Sequence, residues 1–113
     1  MENRFGVEPG QIFYCSWGYD QTNINFYEVV RVTATKAEIQ PIASGGVGYQ
    51  KVVARPGVVR EWDVLIDLPA KSGGMTKLCK VVDKNTIVLR SGHYWAHRYD
   101  GSPKYETDIL FGH

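Results

Sequence analysis

The sequence predicts an all-β fold, a small barrel or sandwich of six to seven short strands that forms a single domain over residues 1–113. Three observations carry this prediction. The chain holds seven tyrosines, three tryptophans and four phenylalanines, and such rings pack well on the pleated surface of a sheet. Apolar residues alternate with polar ones in several short runs, whereas no segment shows the period of an amphipathic helix. A chain of 113 residues builds one hydrophobic core and is too short for two.

The first two predicted strands flank a polar loop. Residues 11–17 form the first strand, with Phe13, Cys15 and Trp17 on one face and Ile12 and Tyr14 on the other, and residues 25–34 form the second. Between them, residues 18–23 are polar and include several residues that favour turns. Strict alternation along the second strand predicts one face shared by Phe26, Val30 and Val32.

A hairpin and a glycine-rich stretch are predicted next. Thr35 and Lys36 form a tight turn into a third strand over 37–42, which Pro41 is expected to end or to place at a sheet edge. Residues 43–48 contain three glycines and are interpreted as a flexible connector.

The following part of the chain is harder to interpret. Residues 49–55 are predicted to form a short strand that ends at Pro56-Gly57, a pair of residues typical of turns. The stretch 56–76 shows no consistent pattern, and we interpret it as a long surface excursion.

Regular structure is expected to return near the end of the chain. Residues 77–82 and 87–90 are β-rich runs joined by the polar turn 83–86, the pattern of a hairpin. A last strand is predicted over 94–99 and a turn over 100–103, followed by an irregular tail. Closely spaced short strands close most easily as a barrel or sandwich, because sheet edges need covering. The order of loops and hairpins is compatible with an SH3-like barrel.

Charge and hydropathy exclude several classes of protein. The chain has 13 basic and 12 acidic residues, a balance that argues against a polyanion mimic and gives no global case for nucleic-acid binding. No apolar run of about 18 residues is present to cross a membrane, and the first ten residues lack the apolar stretch of a secretory signal. We therefore expect a cytoplasmic protein in which Cys15 and Cys79 are reduced thiols.

No motif predicts a catalytic residue, a metal or a cofactor. His93 and His97 fall on a predicted strand, where a spacing of four residues separates them by about 13 Å, too far for one ion. Cys15 lies among aromatic residues in mid-strand and is interpreted as a buried small hydrophobe. Whether the protein is an enzyme stays open, and the sequence leans against it. A small hydrolase using Asp20, His97 or Cys15 is the weakest of the alternatives.

Nucleic-acid binding is the more serious alternative. Basic residues concentrate in 71–104, beside the aromatic residues of the last strand, and exposed rings next to cations are typical of proteins that bind single strands. The basic candidates are Lys77, Lys80, Lys84, Arg90 and Arg98. Alternation sends Tyr94 and Trp95 to opposite faces, however, so at least one of them belongs to a core. Core packing beside an ordinary solvated set of charges is the competing interpretation.

A ligand-binding surface is predicted from the loop 18–23 together with the segment 93–101. Both combine aromatic rings with polar side chains, and the loop's Asp and Asn side chains can hold it rigid by bonding to backbone groups. The candidate ligand-binding residues are Trp17, Tyr19, Asp20, Gln21, Asn23, Tyr27, Tyr94, Trp95, His97, Arg98, Tyr99 and Asp100.

Both ends of the chain resemble known small proteins. WGYDQTNINFY, residues 17–27, is similar to the signature WGYDQTN(V/I)DFYxVV of small proteins from phages, prophages and plasmids. YDGSPKYET, residues 99–107, with the final FGH is similar to the ending WDGKPxYET…GYGH of the same group. Asn25 stands where Asp is usual, and Tyr99 where Trp is usual. The resemblance implies a mobile-element source, in which case the protein acts in the host cytosol. It also implies an accessory or anti-defence factor that binds a host macromolecule or a small ligand.

Overall fold

The computed structural model describes residues 3–17, 23–48, 51–60, 76–90 and 94–105. The described residues form β1 (Ile12–Trp17), β2 (Asn23–Val32), β3 (Lys36–Gly48), β4 (Lys51–Val59), β5 (Lys77–Asp83), β6 (Thr86–Arg90), β7 (Tyr94–Arg98) and β8 (Lys104–Tyr105). No helix within these ranges is long and apolar enough to cross a membrane.

Six of the strands close into an antiparallel barrel. They follow the order β2-β1-β7-β6-β5-β3, and β3 pairs back onto β2 to complete the ring. Outside the ring, β4 pairs with β3, and β8 pairs with β4. The all-β prediction is therefore confirmed, and of the two architectures it allowed the barrel is the one observed. The analogy to an SH3-like barrel stays a prediction.

β3 is longer than predicted, because its two halves pair with different strands along one edge. It runs through both Pro41 and the glycine-rich residues 43–48, which the sequence predicted to be a connector. β5 pairs with β3 up to Ile39, and β4 pairs with it from Ile42 onward. Pro41 lies where the partner changes, and its carbonyl accepts a hydrogen bond from the backbone N of Arg60 (2.9 Å). The position of the missing proline N–H is on that same edge of β3, between the segments paired with β5 and with β4. The proline therefore removes no hydrogen bond from either regular ladder.

β4 also extends beyond its predicted end. The sequence placed a strand at 49–55, whereas the observed one continues to Val59. Ile42 opposes Val59 and Ser44 opposes Ala54, so two steps along β3 correspond to five along β4. The extra residues of β4 form a large bulge that contains Pro56 and Gly57. β4 pairs with β3 again beyond this bulge, at Val59.

Gly57 makes this bulge possible. Its φ of +81° is readily adopted only without a Cβ, and its backbone N donates to Oε1 of Glu28 across the surface (3.2 Å). Of the predicted excursion 56–76, the beginning thus belongs to β4. Its central part, 61–75, lies outside the described residues.

A smaller bulge in β2 reverses the predicted facing of its end. A register shift between Val29 and Arg31 inserts Val30 as an extra residue, so that Val30 is exposed while Val32 packs against the barrel interior with Val29. The prediction that Phe26, Val30 and Val32 share a face is wrong, because strict alternation does not survive an inserted residue.

The barrel has a core inside it and a second cluster on its outer wall. The interior contains Val7, Phe13, Cys15, Tyr27, Val29, Ala37, Ile39, Cys79, Val81, Ile87, Leu89 and Ala96. The outer cluster contains Ile24, Phe26, Ile42 and Val52, with Tyr14 and Tyr99 among the side chains packed on it. β4 and the residues after β7 cover this part of the wall, so β2 is buried on both faces over residues 24–27.

Residues 3–10 pack against one end of the barrel, which we call the closed end. The segment is irregular, as predicted, yet Val7 is only 1% exposed and belongs to the interior cluster. Asn3 Nδ2 donates to the carbonyls of Thr33 (2.8 Å) and Lys36 (3.3 Å), and Asn3 Oδ1 accepts from the backbone N of Phe5 (2.9 Å). The turn between β2 and β3 is thereby tied to the start of the chain.

Candidate functional site

An open pocket of about 420 Å³ lies at the opposite end of the barrel. We call it the mouth pocket, and it is lined by Trp17, Asn23, Ile24, Asn25, Ala43, Ser44 and Arg60. Its volume falls in the range of small-molecule sites, which often occupy the mouths of β-barrels.

The pocket forms where β2 and β3 separate. Their pairing runs only as far as Phe26 opposite Ile42. Beyond that point the start of β2 and the middle of β3 diverge, and Asn25 and Ser44 line the space between them. β3 turns away here because it pairs with β4 on its other edge.

The β1–β2 ladder delivers Trp17 and the two asparagines to the mouth. Trp17 opposes Asn23, and Cys15 opposes Asn25. Cys15 is buried in the barrel interior, and side chains two residues apart share a face. Trp17 therefore continues the inward-facing row at the rim, where its ring packs partly against the interior cluster.

Arg60 reaches the pocket from a remote part of the sequence. It follows β4 directly, and the hydrogen bond from its backbone N to the carbonyl of Pro41 fixes it beside β3. The guanidinium group brings a permanent positive charge with several hydrogen-bond donors. The pocket thus combines one cation, two amides, a hydroxyl and an indole ring.

This set of side chains suits binding better than acid–base catalysis. Amides both donate and accept hydrogen bonds, and an indole offers an aromatic face. Among the described residues that line the pocket there is no carboxylate, imidazole or thiol. Nor does any group of three potential metal ligands occur in the described part of the chain.

Trp17 carries an unusual polar atom. Its Nε1 is buried and has no hydrogen-bond partner within the described structure. Leaving a buried donor unpaired costs roughly 1–3 kcal/mol. The Tyr99 hydroxyl is the other such atom within the described structure.

The predicted residues of the first signature segment fall into three groups. Trp17 and Asn23 line the mouth pocket. Tyr27 is 0% exposed inside the barrel, where it contributes to the core. Tyr19, Asp20 and Gln21 lie outside the described residues.

Tyr99 and Asp100 have structural surroundings. The Tyr99 ring packs on Phe26 with centroids 4.9 Å apart, and its hydroxyl is buried with no partner in the described structure. Asp100 Oδ1 accepts hydrogen bonds from the hydroxyl (2.6 Å) and the backbone N (2.9 Å) of Ser102. These bonds hold the pKa of the Asp100 carboxyl below its usual value and stabilise the turn before β8.

The remaining predicted residues are spread over β7. Tyr94 packs partly against the interior, Trp95 is 42% exposed, and His97 is exposed beside Tyr14, with ring centroids 6.2 Å apart. Arg98 is exposed, and its backbone N donates to the carbonyl of Asn85 near the closed end (2.9 Å).

The described parts of the two signature segments meet along β1 but do not form one pocket. Trp17 ends β1 at the mouth, whereas the backbone N of Tyr99 donates to the carbonyl of Ile12 at the other end of that strand (2.8 Å). Five residues of strand separate these ends by about 17 Å.

The four basic candidates with described side chains do not share a face either. Lys80 is exposed on the outer wall, Lys84 lies in the turn between β5 and β6, and Arg98 lies beside that turn. Lys77 is partly buried at the start of β5, and Arg90 is the last residue of β6.

Two candidate residues of the hydrolase alternative, Cys15 and His97, lie on opposite sides of the barrel wall. Cys15 is buried inside the barrel, whereas His97, which lies opposite Tyr14 on the neighbouring strand, is exposed outside. Burial raises the pKa of the Cys79 thiol to about 11, with a smaller opposing effect from Lys77. At neutral pH Cys79 is therefore an unreactive thiol.

Sequence reasoning missed Asn25, Ser44 and Arg60 as members of the site. Asn25 left a signal, because Asn23 and Asn25 are two residues apart and so point to the same face of one strand. Ser44 and Arg60 left none, since their positions depend on the long-range pairing of β3 and β4.

Comparison with known proteins finds no family model, no curated protein and no solved structure that matches this chain.

Proposed function

We propose that this protein is a binding protein rather than an enzyme, and that its mouth pocket holds a small polar ligand. The observation that supports the proposal is the convergence of Trp17, Asn23, Asn25, Ser44 and Arg60 around one open space. Four of the seven lining residues lie in the segment 17–27, the part of the sequence with the strongest signature.

The lining chemistry favours a particular kind of ligand. A planar ring can stack on an indole, and amide side chains can pair with the polar edge of such a ring. An acidic group, phosphate or carboxylate, is the natural partner of a guanidinium. We therefore expect a planar, hydrogen-bonding molecule with an anionic group, of the size of a mononucleotide. In a mobile-element setting, this would be an accessory factor that senses or sequesters a host metabolite.

The test is an NMR titration of the full chain with mononucleotides and with the corresponding uncharged nucleosides. We expect shifts concentrated at Trp17, Asn23 and Asn25, and tighter binding of the charged ligands. Arg60→Gln should weaken mononucleotide binding about tenfold, the loss of one charge-assisted contact, while nucleoside binding changes little.

Arg4→Gln is the matched control, because Arg4 is an exposed cation at the closed end of the barrel. It should leave both affinities unchanged. If no ligand of the panel shifts the lining residues at millimolar concentration, or if the shifts cluster elsewhere, the proposal is wrong.

A further inference from the structure

A row of outward-facing side chains crosses four adjacent strands on the far wall of the barrel. Trp95 of β7 opposes Val88 of β6, and Lys80 of β5 opposes Lys36 of β3. Val81 opposes Ile87, which places Lys80 level with Val88. The row therefore reads Trp95, Val88, Lys80, Lys36, and at about 4.8 Å per strand it is roughly 14 Å long. We call it the outer row.

Alternation and burial show that the outer row faces outward. The neighbours of these residues along their strands include Ala96, Ile87, Val81 and Ala37, all of which are buried inside the barrel. Trp95, Lys80 and Lys36 are exposed accordingly, and Val88 is half-buried between them.

This wall is apolar where none of the described elements covers it. β4 and the residues after β7 cover the outer cluster near β2 and β3, whereas Leu78, Val82 and Trp95 on β5 and β7 are all exposed. Single exposed apolar residues are ordinary, but a tryptophan with aliphatic neighbours on one sheet face is typical of an interaction surface.

The charge on the same wall is positive. Lys36 and Lys80 stand directly opposite each other, and two like charges in such a pair repel. Neither lysine forms a salt bridge within the described part of the chain. Of the nearby carboxylates, Glu38 forms an ion pair with Arg31 (3.0 Å), whereas Asp83 keeps its charge and accepts a hydrogen bond from the backbone N of Asn85 (2.8 Å).

We propose that the outer row binds single-stranded nucleic acid, with a base stacked on Trp95 and phosphates held by Lys80 and Lys36. An exposed ring beside cations is how small β-barrels bind unpaired strands, since every base has a face that can stack. A duplex keeps its bases stacked on one another and leaves Trp95 without a partner. Lys84, in the turn at the end of β5, extends the positive surface.

This surface differs from the basic set that the sequence suggested. Lys80 and Lys84 remain, and Lys36 joins them from the start of β3. Lys77 and Arg98 fall outside the outer row. The outer row is also separate from the mouth pocket, because it lies on the outside of the barrel wall and shares no residue with the pocket.

The test measures fluorescence anisotropy of labelled single-stranded oligonucleotides, DNA and RNA, with a duplex of the same sequence for comparison. Neutralising two to three phosphates predicts that affinity for a single strand falls about tenfold between 50 and 200 mM salt. Trp95→Ala should weaken binding about tenfold, Trp95→Phe should restore part of the loss, and Lys36→Gln with Lys80→Gln should flatten the salt dependence.

Two controls separate the outer row from the rest of the molecule. Arg55→Gln removes an exposed cation from β4 and should leave oligonucleotide binding unchanged. Arg60→Gln, which tests the mouth pocket, should also leave it unchanged, so the two proposals fail independently.

Several results would overturn the inference. These are the absence of single-strand binding, binding that is insensitive to Trp95→Ala, and duplex binding as tight as single-strand binding. Self-association that Trp95→Ala abolishes, in the absence of oligonucleotide binding, would assign the surface to a protein contact instead.

Discussion

The two ends of the barrel differ in how far their buried polar atoms are hydrogen-bonded. At the closed end, residues 3–10 bury Val7, and every polar atom of the Asn3 side chain is hydrogen-bonded. At the mouth, Trp17 has a buried N–H without a partner in the described structure, and two asparagines border an open pocket. The contrast therefore lies between the Asn3 side chain, whose polar atoms all have partners, and the Trp17 N–H, which has none within the described structure.

The difference is one of polar satisfaction, and it agrees with the proposal that the mouth is the binding end. Local rules of packing and polar satisfaction agree across most of a stable fold, and real proteins break them mainly at functional sites. An apolar residue at position 23 or 25 could pack the mouth as Val7 packs the closed end. Asparagines at these positions keep the mouth polar.

The largest expected effect tests the closed end. Val7→Asp places a carboxylate in the barrel interior with no cation to pair it, and we expect the free energy of unfolding to fall by about 3 kcal/mol or more. Chemical denaturation followed by circular dichroism measures it. Glu8→Ala alters the exposed neighbour and should change stability by no more than about 0.5 kcal/mol. A Val7→Asp variant as stable as the parent would show that residues 3–10 do not seal the barrel.

An intermediate effect is expected when the side-chain hydrogen bonds of Asn3 at the closed end are removed. Asn3→Ala removes the partner of two backbone carbonyls and one backbone N–H, and we expect a loss of about 1–3 kcal/mol. Gln11→Ala is the matched control, because its bond from the backbone N of Glu8 is exposed to water (3.2 Å). Equal losses in the two variants would mean that the Asn3 bonds are no more valuable than surface ones.

The smallest effect is expected at the mouth. Trp17→Phe keeps an aromatic ring but removes the unpaired Nε1–H, so relief of the buried donor offsets the smaller ring. We expect the free energy of unfolding to stay within about 1 kcal/mol of the parent, by the same denaturation experiment. If Trp17→Phe lowered the free energy of unfolding as much as Asn3→Ala does, the two ends would not differ in how much their polar groups contribute to stability.

Local pattern was sufficient for most of the barrel. β1, β5, β6 and β7 were predicted within one or two residues, because each is a short run rich in aromatic or aliphatic residues. The glycine-rich 43–48 could not be recognised as strand, since nothing local favours it. It is extended because β4 pairs along it, an instance of tertiary context overriding propensity.

The site was less predictable than the fold, for a related reason. Trp17 and Asn23 stood out as polar and aromatic residues at a strand end. Tyr27 belonged to the same signature, but a strand buried on both faces hides which residues are accessible. Arg60 follows the bulge of β4, so its place at the mouth depends on a pairing that sequence alone does not reveal.

β4 and β5 lie end to end along one edge of β3, and this arrangement bears on how the protein can change over evolutionary time. The chain leaves that edge at Arg60, hydrogen-bonded to Pro41, and returns with Lys77 opposite Ile39. Departure and return are only two residues apart on β3. A change in the number of residues between Arg60 and Lys77 would therefore leave the observed pairings of β3 with β4 and with β5 in register.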